Sequence, residues 1–508
     1  MPQAMTDISV SLDPIPPARF GALEARRLLL RVGFGGSPER IAALVELGPE
    51  AAVDSLLSFP ADSADADAPI RPGVIHEPTQ AERRAFHRAR SARDENALAQ
   101  LRARRQTMQR ADRRQLAEMQ TWWLDRMIDS PTPAREKLTL FWHGHFATSY
   151  RGQQNASHLL AQNRLFRRLA LGPFSDLLHA IIHDPAMLAY LNNNVSRRQR
   201  PNENLARELM ERFSLGVGNY TERDVKEGAR ALTGYTFHGD EFHFREDWHD
   251  GDTKTILGAR GQLDGDDFVG AILRRRACAR FIAFKLYRFF VADIPDDPAR
   301  APDHAARVID SLARSIRAHQ YDLRPGLRTL FLSEHFYDPA LAGAKVKSPA
   351  DLVVGAARSL GARAAPSHAL VRQMGRMGQL VFLPPSVAGW DSGRAWINMS
   401  TLYLRQNTLT FMLAGGPNAR RRGQRDGQDA GSDPRALFPR ESEQGARPFA
   451  RALLAHALGS AGDPATEAGA SRLRTLNEFF AGEGDRLTRG TAVGAVALVS
   501  AMPEFQLC

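Results

Sequence analysis

The stretch PNENLARELMERFSLGVGNYTERDVKEGARALTGYTF, residues 201–237, shows how this chain is built. Its apolar residues recur at spacings of three and four, which predicts helices over 203–215 and 222–232. Asn202 precedes the first helix as a capping residue. Beyond the second helix, short alternating runs with Gly-Asp and Asp-Gly turns predict one or two β-hairpins over 235–258.

The same helical periodicity continues on both sides of this stretch. It predicts further helices over 134–147, 156–170, 174–183, 266–290, 304–317, 325–332, 349–360, 400–413, 448–458, 467–480 and 491–502. The composition, 508 residues with 43% hydrophobic and 24% charged, is that of a folded globular protein. We expect a mainly α fold, a multi-helix orthogonal bundle with a small β-hairpin insertion.

Changes in composition along the chain predict its division into domains. Residues 1–20 are expected to be a disordered N-terminus, and residues 21–130 an N-terminal helical appendage with a long arginine-rich helix. Residues 131–508 form the predicted main helical domain, which includes the hairpin insertion over 235–258. The stretch 420–434 is charged, Gly-rich and free of large apolar groups, so we expect a disordered insertion there.

The formal net charge of +10 comes almost entirely from arginine, because the chain has only six lysines. The densest arginine stretch, residues 82–115, carries a single aromatic residue, Phe86, that could stack on a base. This favours one long exposed helix with a solvated face, and nucleic acid is not the partner we expect. The weaker nucleic-acid hypothesis would predict strongly salt-dependent binding.

Neither an integral membrane segment nor a secretory signal is predicted. The most apolar run, 490–502, is shorter than the ~20 residues that a bilayer requires. The first residues lack a basic region followed by an apolar one, so a cytoplasmic location is expected by default. Two cysteines are too few for a disulfide framework or a thiolate metal cluster.

The run FWHGHF, residues 141–146, contains a His-x-His pair whose meaning depends on the element that carries it. On a strand both imidazoles would face one side, as a metal-binding pair requires, whereas on a helix they diverge by about 200°. The preceding Arg-Glu-Lys favours a helix. His145 is then expected as a core histidine and His143 as a solvated one, with metal ligation or proton transfer as the alternative.

The first helix of the quoted stretch has a polar face with candidate ligands. A helical wheel places Asn204, Glu208 and Glu211 together opposite the apolar residues. Two carboxylates on one face could bind a divalent metal or perform acid–base chemistry, although such a face more commonly meets water. Glu203 and Arg207, at i and i+4, predict an ordinary ion pair.

Two loops hold further candidates. His249 and Asp250 lie in the hairpin region among other metal-compatible side chains without a diagnostic spacing, so a hydrated loop is the alternative. The segment PPSVAGWDSGRAW, residues 384–396, places Trp390 and Trp396 in a rigid loop that could line a ligand pocket or plug a bundle end. Phosphate-loop, nucleophile-elbow, His-Glu-x-x-His and dinucleotide fingerprints are absent from the sequence.

Several runs in order along the chain resemble the bacterial family catalogued as domain of unknown function eighteen hundred. They are FWHGHF, DPAMLAYLNNN, the quoted stretch, WHDGDTKTILG, KVKSPADLVVGAARSLG, PPSVAGWDSGRAWIN and MPEFQLC, and the resemblance spans about Leu28 to Cys508. It implies a large, mostly helical bacterial protein without an assigned reaction. Many relatives are exported and encoded beside an alkaline-phosphatase-like protein, which makes export and that partner further expectations.

The resemblance also marks motif positions to which it gives no roles. They are His143, His145, Asn202, Glu203, Asn204, Arg207, Glu208, Glu211, His249, Asp250, Lys254, Gly389, Trp390 and Trp396.

Two functions of different classes remain open from the sequence. The first is a metal-assisted enzyme, a hydrolase or oxidoreductase, with a divalent metal ion held by His143 or His145 and by Glu208 or Glu211. Its candidate catalytic residues are Arg207, which would orient an anionic group, with Glu203, His249, Asp250 and Lys254, and its candidate cofactor-binding residues are Trp390 and Trp396. The second is a non-catalytic scaffold or partner-binding protein in which these polar residues form a buried hydrogen-bonded network.

Overall fold

The computed structural model of the chain describes residues 8–59, 80–415 and 432–508, together with Ala68 and Val74. Within these residues it contains 22 α-helices and two small sheets, each of two antiparallel strands. The predicted mainly α fold with a small hairpin insertion is confirmed.

Eleven of the helices precede the strands. They are α1 (Ala22–Gly33), α2 (Pro38–Leu57), α3 (Gln80–Ser91), α4 (Glu95–Asp129), α5 (Pro133–His145), α6 (Tyr150–Gln153), α7 (Ala156–Arg168), α8 (Phe174–Ile182), α9 (Pro185–Tyr190), α10 (Glu203–Glu211) and α11 (Glu222–Ala231). The others follow the strands. They are α12 (Gly265–Arg274), α13 (Arg276–Phe290), α14 (Asp303–Ala318), α15 (Leu323–Leu332), α16 (Pro349–Leu360), α17 (Ser367–Arg376), α18 (Met399–Ala414), α19 (Pro439–Gln444), α20 (Ala446–Leu458), α21 (Glu467–Gly482) and α22 (Arg489–Ala501).

The strands form two consecutive hairpins. The first turns at the predicted Gly-Asp dipeptide, whereas the second turns at Leu257 and Gly258, so its last strand lies beyond the predicted range 235–258 and the Asp-Gly dipeptide at 250–251 is not a hairpin turn. β1 (Tyr235–His238) pairs with β2 (Glu241–Phe244), and β3 (Lys254–Ile256) pairs with β4 (Ala259–Gly261). The loop of each hairpin has two residues, and its glycine has positive φ, which the twist of adjacent strands favours in so short a turn.

Helix α10 begins where the sequence predicts and ends earlier. It begins after Asn202 because that side chain accepts a hydrogen bond from the backbone N–H of Asn204 at 2.9 Å. It ends at Glu211 because Gly216, at φ 79, turns the chain back so that its N–H donates to the carbonyl of Met210 at 3.0 Å. The helix predicted over 266–290 is likewise divided, into α12 and α13, where Arg275 is extended.

Two apolar clusters form the interior, and α5 lies between them. The first cluster comes mainly from α1, α2, α8 and α10–α15, and the second from α4, α16–α18 and α20–α22. Helix α5 contributes Phe141 and Trp142 to the first cluster and Leu140 to the second. Every residue of α5 except Gly144 is buried, so this helix has no solvent-facing side.

The N-terminal segment is packed where disorder was predicted. Ile15 is 1% exposed, and its backbone N–H donates to the carbonyl of Leu332 at 2.8 Å. The prediction is wrong for residues 8–20 because this apolar side chain is buried in the first cluster, and residues 1–7 lie outside the described part. Helices α1 and α2 belong to the same cluster, so they are not separated from the main body.

The arginine-rich stretch forms two helices instead of the single one predicted. Arg93 takes a left-handed conformation with φ 52, and the Asp94 side chain then caps α4 by accepting from the N–H of Ala97 at 3.0 Å. The first half of α4 is largely exposed, whereas Met119 and Trp123 in its second half are fully buried. Helix α4 therefore links an exposed pair of helices, α3 and the first half of α4 itself, to the second cluster.

Among the described helices, none is both long enough and apolar enough to cross a bilayer. The predicted disordered insertion over 420–434 lies mostly outside the described residues.

Candidate functional site

His143 of α5 is buried beneath the 384–396 loop, with an exposed fraction of 1%. Its Nε2 accepts a hydrogen bond from the backbone N–H of Phe382 at 2.9 Å, and its ring contacts those of Trp123 and Trp390. The prediction of a solvated His143 is wrong because that loop covers the side of α5 that the helical pattern leaves polar. Burial lowers the pKa of His143 to about 3, so the imidazole is neutral near pH 7.

His145 lies on the opposite side of α5, as a helical His-x-His pair requires. Its Nε2 lies 2.9 Å from the carbonyl oxygen of Phe213 and donates to it. Burial and then the charge of Lys285 lower the pKa of His145 to about 3, although the hydrogen bond to Phe213 opposes the shift. His145 thus matches the expected core histidine.

The four residues predicted as metal ligands do not form one site. His143 and His145 point into different apolar clusters, and each uses its Nε2 in a backbone hydrogen bond. Glu208 and Glu211 lie on α10. Within the part of the chain that the structure describes, no group of three or more His, Cys, Asp or Glu side chains could hold a metal ion.

Glu136 is the centre of a buried polar network that the sequence did not single out. Its carboxylate accepts hydrogen bonds from Trp123 Nε1 (2.9 Å), Arg126 Nε (3.1 Å) and Arg167 Nε and Nη2 (both 3.0 Å). Burial raises the pKa of Glu136, but the two arginines outweigh this effect and hold it below its usual value. The network ties α4, α5 and α7 together. The sequence gives no specific signal for this network, because Glu136 stands between an arginine and a lysine in a charged run typical of an exposed first helical turn.

Arg207 on α10 forms the predicted ion pair and a second one. Its Nη2 lies 3.1 Å from Glu203 Oε2, and its Nη1 and Nη2 bind Glu222 of α11 at 2.7 and 2.9 Å. The hydrogen bonds to Glu222 raise the pKa of Arg207 above its usual value. These residues join α10 to α11 at the surface, with the guanidinium held by two carboxylates.

Glu208 and Glu211 lie beside this ion pair and differ in their surroundings. Glu211 accepts a hydrogen bond from the Tyr220 hydroxyl at 2.7 Å and pairs with Arg212 at 3.1 Å. Glu208 Oε2 is enclosed by protein and has no hydrogen-bond partner among the described residues. The Glu211 carboxylate therefore has partners for its oxygens, whereas Glu208, one helical turn earlier, has one oxygen without a hydrogen bond.

The surroundings of Glu208 favour its protonated form. Burial and then the charge of Glu211 raise the pKa of Glu208, while Arg212 and Arg207 oppose the shift. The hydroxyl of Tyr190, at the end of α9, is near enough for Glu208 to help raise the pKa of that tyrosine, after burial. The arrangement offers a carboxyl group of raised pKa, a second carboxylate and a phenol.

His249 and Asp250, in the loop before β3, lie together with Lys254, the first residue of that strand. His249 Nδ1 donates to the carbonyl oxygen of Thr233 at 2.8 Å, and Arg230 binds both carboxylate oxygens of Asp250 at 2.7 and 3.1 Å. Lys254 is 1% exposed, and its ammonium group donates a hydrogen bond to the backbone carbonyl of Asp250. These bonds hold the loop against α11.

The 384–396 loop places its two indoles differently. Trp396 is 6% exposed and packs on Gly378, whereas Trp390 is half-buried over Gly144 and its Nε1 is enclosed without a partner among the described residues. Gly389 has φ +82, and a Cβ there would overlap the carbonyl oxygen of Gly144. Only glycine allows so close an approach, so the loop closes tightly on α5.

Comparison with known proteins gives one match. A family model described as "Protein of unknown function (DUF1800)" matches residues 27–507. No curated protein and no solved structure matches the chain.

Proposed function

Because the chain belongs to the DUF1800 family of proteins of unknown function, which supplies no reaction, we propose a function from the carboxylates of α10: an enzyme that performs acid–base chemistry, most simply hydrolysis. Glu208 is the proton donor to the leaving group, and Glu211 is the base that takes a proton from water. Such chemistry needs two carboxyl groups in different environments, so that one is protonated and the other ionised at the same pH.

The observation that supports this proposal is the enclosed, unpartnered Oε2 of Glu208. A buried polar atom without a hydrogen bond costs about 1–3 kcal/mol, so a carboxyl group with only a structural role would normally acquire a partner. Burial and Glu211 raise the pKa of Glu208, which is the condition for a general acid near neutral pH.

Cationic groups next to this pair suggest an anionic substrate. Arg212 follows α10 directly and pairs with Glu211 through one nitrogen. Lys285 of α13 is near enough to Arg212 that, after burial, the charge of Arg212 helps lower the pKa of Lys285. Arg212 and Arg207 are near enough to Glu208 to lower its pKa, and their positive charge would attract a substrate that carries a carboxylate or phosphate.

The test compares Glu208→Gln with Glu211→Gln, two substitutions of equal size. A group whose folded-state pKa is raised loses stabilising free energy as the pH rises through that pKa. Glu208→Gln is therefore expected to be more stable than the parent at pH 8, by about 1 kcal/mol or less because the site is partly solvated, and equal to it near pH 4. Glu211→Gln weakens a hydrogen bond and an ion pair and is expected to be less stable.

Urea unfolding at the two pH values measures these differences. A panel of alkyl and phenyl esters and phosphates, whose basic leaving groups need a proton, measures turnover, which we expect Glu208→Gln to reduce at least 100-fold. If Glu208→Gln is destabilised as much as Glu211→Gln, the Glu208 carboxylate is structural and the proposal fails.

The metal-assisted form of this reaction remains a prediction from the sequence. Elemental analysis of protein purified without a histidine tag, beside a Glu208→Ala/Glu211→Ala variant, tests it. Near-stoichiometric metal that is lost in the variant would support a metal-assisted reaction at α10. No metal in either protein after reconstitution would leave acid–base chemistry by the side chains alone.

A second candidate, the non-catalytic scaffold, is favoured by the buried network around Glu136. The hydrogen bonds that Glu136 accepts from Trp123, Arg126 and Arg167 run between helices, and Glu136 itself is fully buried. In this proposal the product of the neighbouring alkaline-phosphatase-like gene is the partner. Calorimetric titration of the two purified proteins tests it, and heat of binding without turnover on the substrate panel would favour the scaffold over the enzyme.

A further inference from the structure

A cavity of about 610 Å³ lies between α3, α4 and α6, apart from the carboxylates of α10. Its volume falls within the range of about 300–1,000 Å³ that is typical of sites for small organic ligands. The cavity exists because the chain reverses at Arg93 and Asp94, so that α3 folds back along the first half of α4.

The cavity wall is strongly cationic. Arg83, Arg102, Arg104 and Arg105 all line it, and Glu82 is the only carboxylate that does. Glu82 pairs with Arg104 at 3.4 Å. Among the described residues, no carboxylate pairs with the other three arginines, and a guanidinium group can donate paired hydrogen bonds to an anion.

Apolar side chains form another part of the wall. Leu101 and Met108 lie two turns apart on α4, and Phe86 of α3, which is 43% exposed, also lines the cavity. An aromatic ring beside guanidinium groups suits a ligand that has both an apolar body and a negative charge. Solvation of arginines alone would not explain why apolar groups line the same space.

The side of the cavity formed by α6 is hydrogen-bonded to the middle of α4. Asp112 of α4 is 1% exposed and accepts hydrogen bonds from the Tyr150 hydroxyl at 2.8 Å and from the Ala156 N–H at 3.2 Å. Gln153 of α6 also lines the cavity. These hydrogen bonds hold α6 beside α4 and so form this wall of the cavity.

We propose that this cavity is a binding site for a small amphiphilic anion, a molecule that joins an acidic group such as a carboxylate, sulfonate or phosphate to an aromatic or acyl body. The arginines bind the acidic group, and Phe86, Leu101 and Met108 contact the body. An extended nucleic acid fits less well, because the cations surround a concavity that contains one aromatic residue instead of a series of stacking rings.

The probe is 8-anilinonaphthalene-1-sulfonate, an anion with an aromatic body whose fluorescence rises in an apolar site. We expect saturable binding to the full chain. Arg102→Gln/Arg105→Gln is expected to weaken binding at least tenfold, whereas Arg110→Gln/Arg114→Gln, on the same helix but outside the cavity wall, should change it less than twofold. Far-ultraviolet circular dichroism and thermal unfolding of each variant verify the fold.

A third variant, Leu101→Trp, fills the cavity and keeps every charge. It should also weaken binding at least tenfold, which separates loss of the site from loss of net charge. Displacement of the probe by octanoate or by phenyl phosphate then shows which acidic group the arginines prefer.

Three results would each overturn the proposal. They are fluorescence that does not saturate, equal affinity in the cavity variants and the Arg110→Gln/Arg114→Gln control, and displacement by a 20-nucleotide single strand at far lower concentration than by either small anion. The last result would assign the arginine surface to nucleic acid.

Discussion

Burial controls the protonation of the two histidines of α5. Because burial lowers the pKa of His143 to about 3, the folded state resists protonation that the unfolded state, with a pKa near 6.5, accepts. The free energy of unfolding therefore falls as the pH falls from about 6.5 towards about 3. Each such histidine contributes about 1.4 kcal/mol per pH unit at most.

His143→Gln isolates the contribution of one histidine, because the Gln Oε1 can still accept the N–H of Phe382. At pH 8 we expect this variant to be less stable than the parent by about 2 kcal/mol, through lost ring packing. The difference should shrink as the pH is lowered from 6.5 to 4.5, since only the parent carries this titrating group. Urea unfolding at half-unit pH intervals measures the effect, and a constant difference would contradict a buried neutral imidazole.

Gly389 tests how closely the 384–396 loop approaches α5. Gly389→Ala combines the cost of a positive φ, about 1 kcal/mol, with overlap between its Cβ and the Gly144 carbonyl, so we expect a loss of about 3 kcal/mol or more. Gly361→Ala is the matched control, because Gly361 has φ +60 and nothing within 4 Å of an added Cβ. It should cost only about 1 kcal/mol by chemical denaturation. Equal losses would mean that the loop can move away from α5.

At the scale of elements, one buried carboxylate attaches the exposed half of α4 to the remaining helices. Asp112 accepts hydrogen bonds from Tyr150 and Ala156 although burial raises its pKa. This half of α4 has few other buried side chains, so its attachment depends on few contacts.

We expect Asp112→Ala to release α3 and the first half of α4 while the rest of the fold stays intact. Trypsin should then cleave at Arg104 and Arg105 at least tenfold faster, and hydrogen exchange should increase over 95–115 but not over α5. Tyr150→Phe removes one of the hydrogen bonds and should give a smaller increase. Exchange that rises over the entire chain would show that Asp112 stabilises the whole fold.

Most elements could be predicted from the sequence, because local chemistry determines where they begin. Asn202 caps α10, and the Thr221 capping box opens α11. The break at Arg93 could not be predicted, since an arginine in the left-handed region has no local sequence signal and persists because the reversed helices pack on each other. The disorder predicted for the N-terminus failed over residues 8–20 for a similar reason, because Ile15 is buried by tertiary packing in the first cluster.

The candidate site could be predicted only in part. The ion pair of Glu203 and Arg207 and the shared face of Glu208 and Glu211 follow from helical spacing alone. The burial of His143 does not, because periodicity marks one apolar face and α5 is covered on every side. The Glu136 network was missed because its partners lie on two other helices, α4 and α7, and helical periodicity does not predict how these pack against α5.

At the scale of the whole molecule, α5 connects the two apolar clusters by packing and by a buried ion pair. Lys137 of α5 pairs with Asp351 of α16, and both groups are largely enclosed. Burial raises the pKa of Asp351, but Lys137 outweighs this effect and holds it below its usual value. The clusters are therefore expected to unfold together, with coincident urea transitions by circular dichroism and tryptophan fluorescence.

Lys137→Met should cost about 3–5 kcal/mol, because it leaves the Asp351 carboxylate buried without its ion-pair partner. Adding Asp351→Asn removes that charge and keeps the side-chain oxygen that caps α16, so the double variant should regain most of the loss. Urea denaturation of the two single variants and the double variant measures the coupling. Additive losses would show that the two side chains act independently.

The length of α4 has an optical consequence. Its 35 residues extend about 50 Å, and the cavity-lining residues Leu101 to Gln109 lie roughly 20–33 Å along it from Trp122 and Trp123 in the second cluster. A molecule held in the cavity would thus lie about 2–3 nm from two natural fluorophores. Their emission could report occupancy without any attached dye, and the chain would act as a label-free sensor of its own ligand.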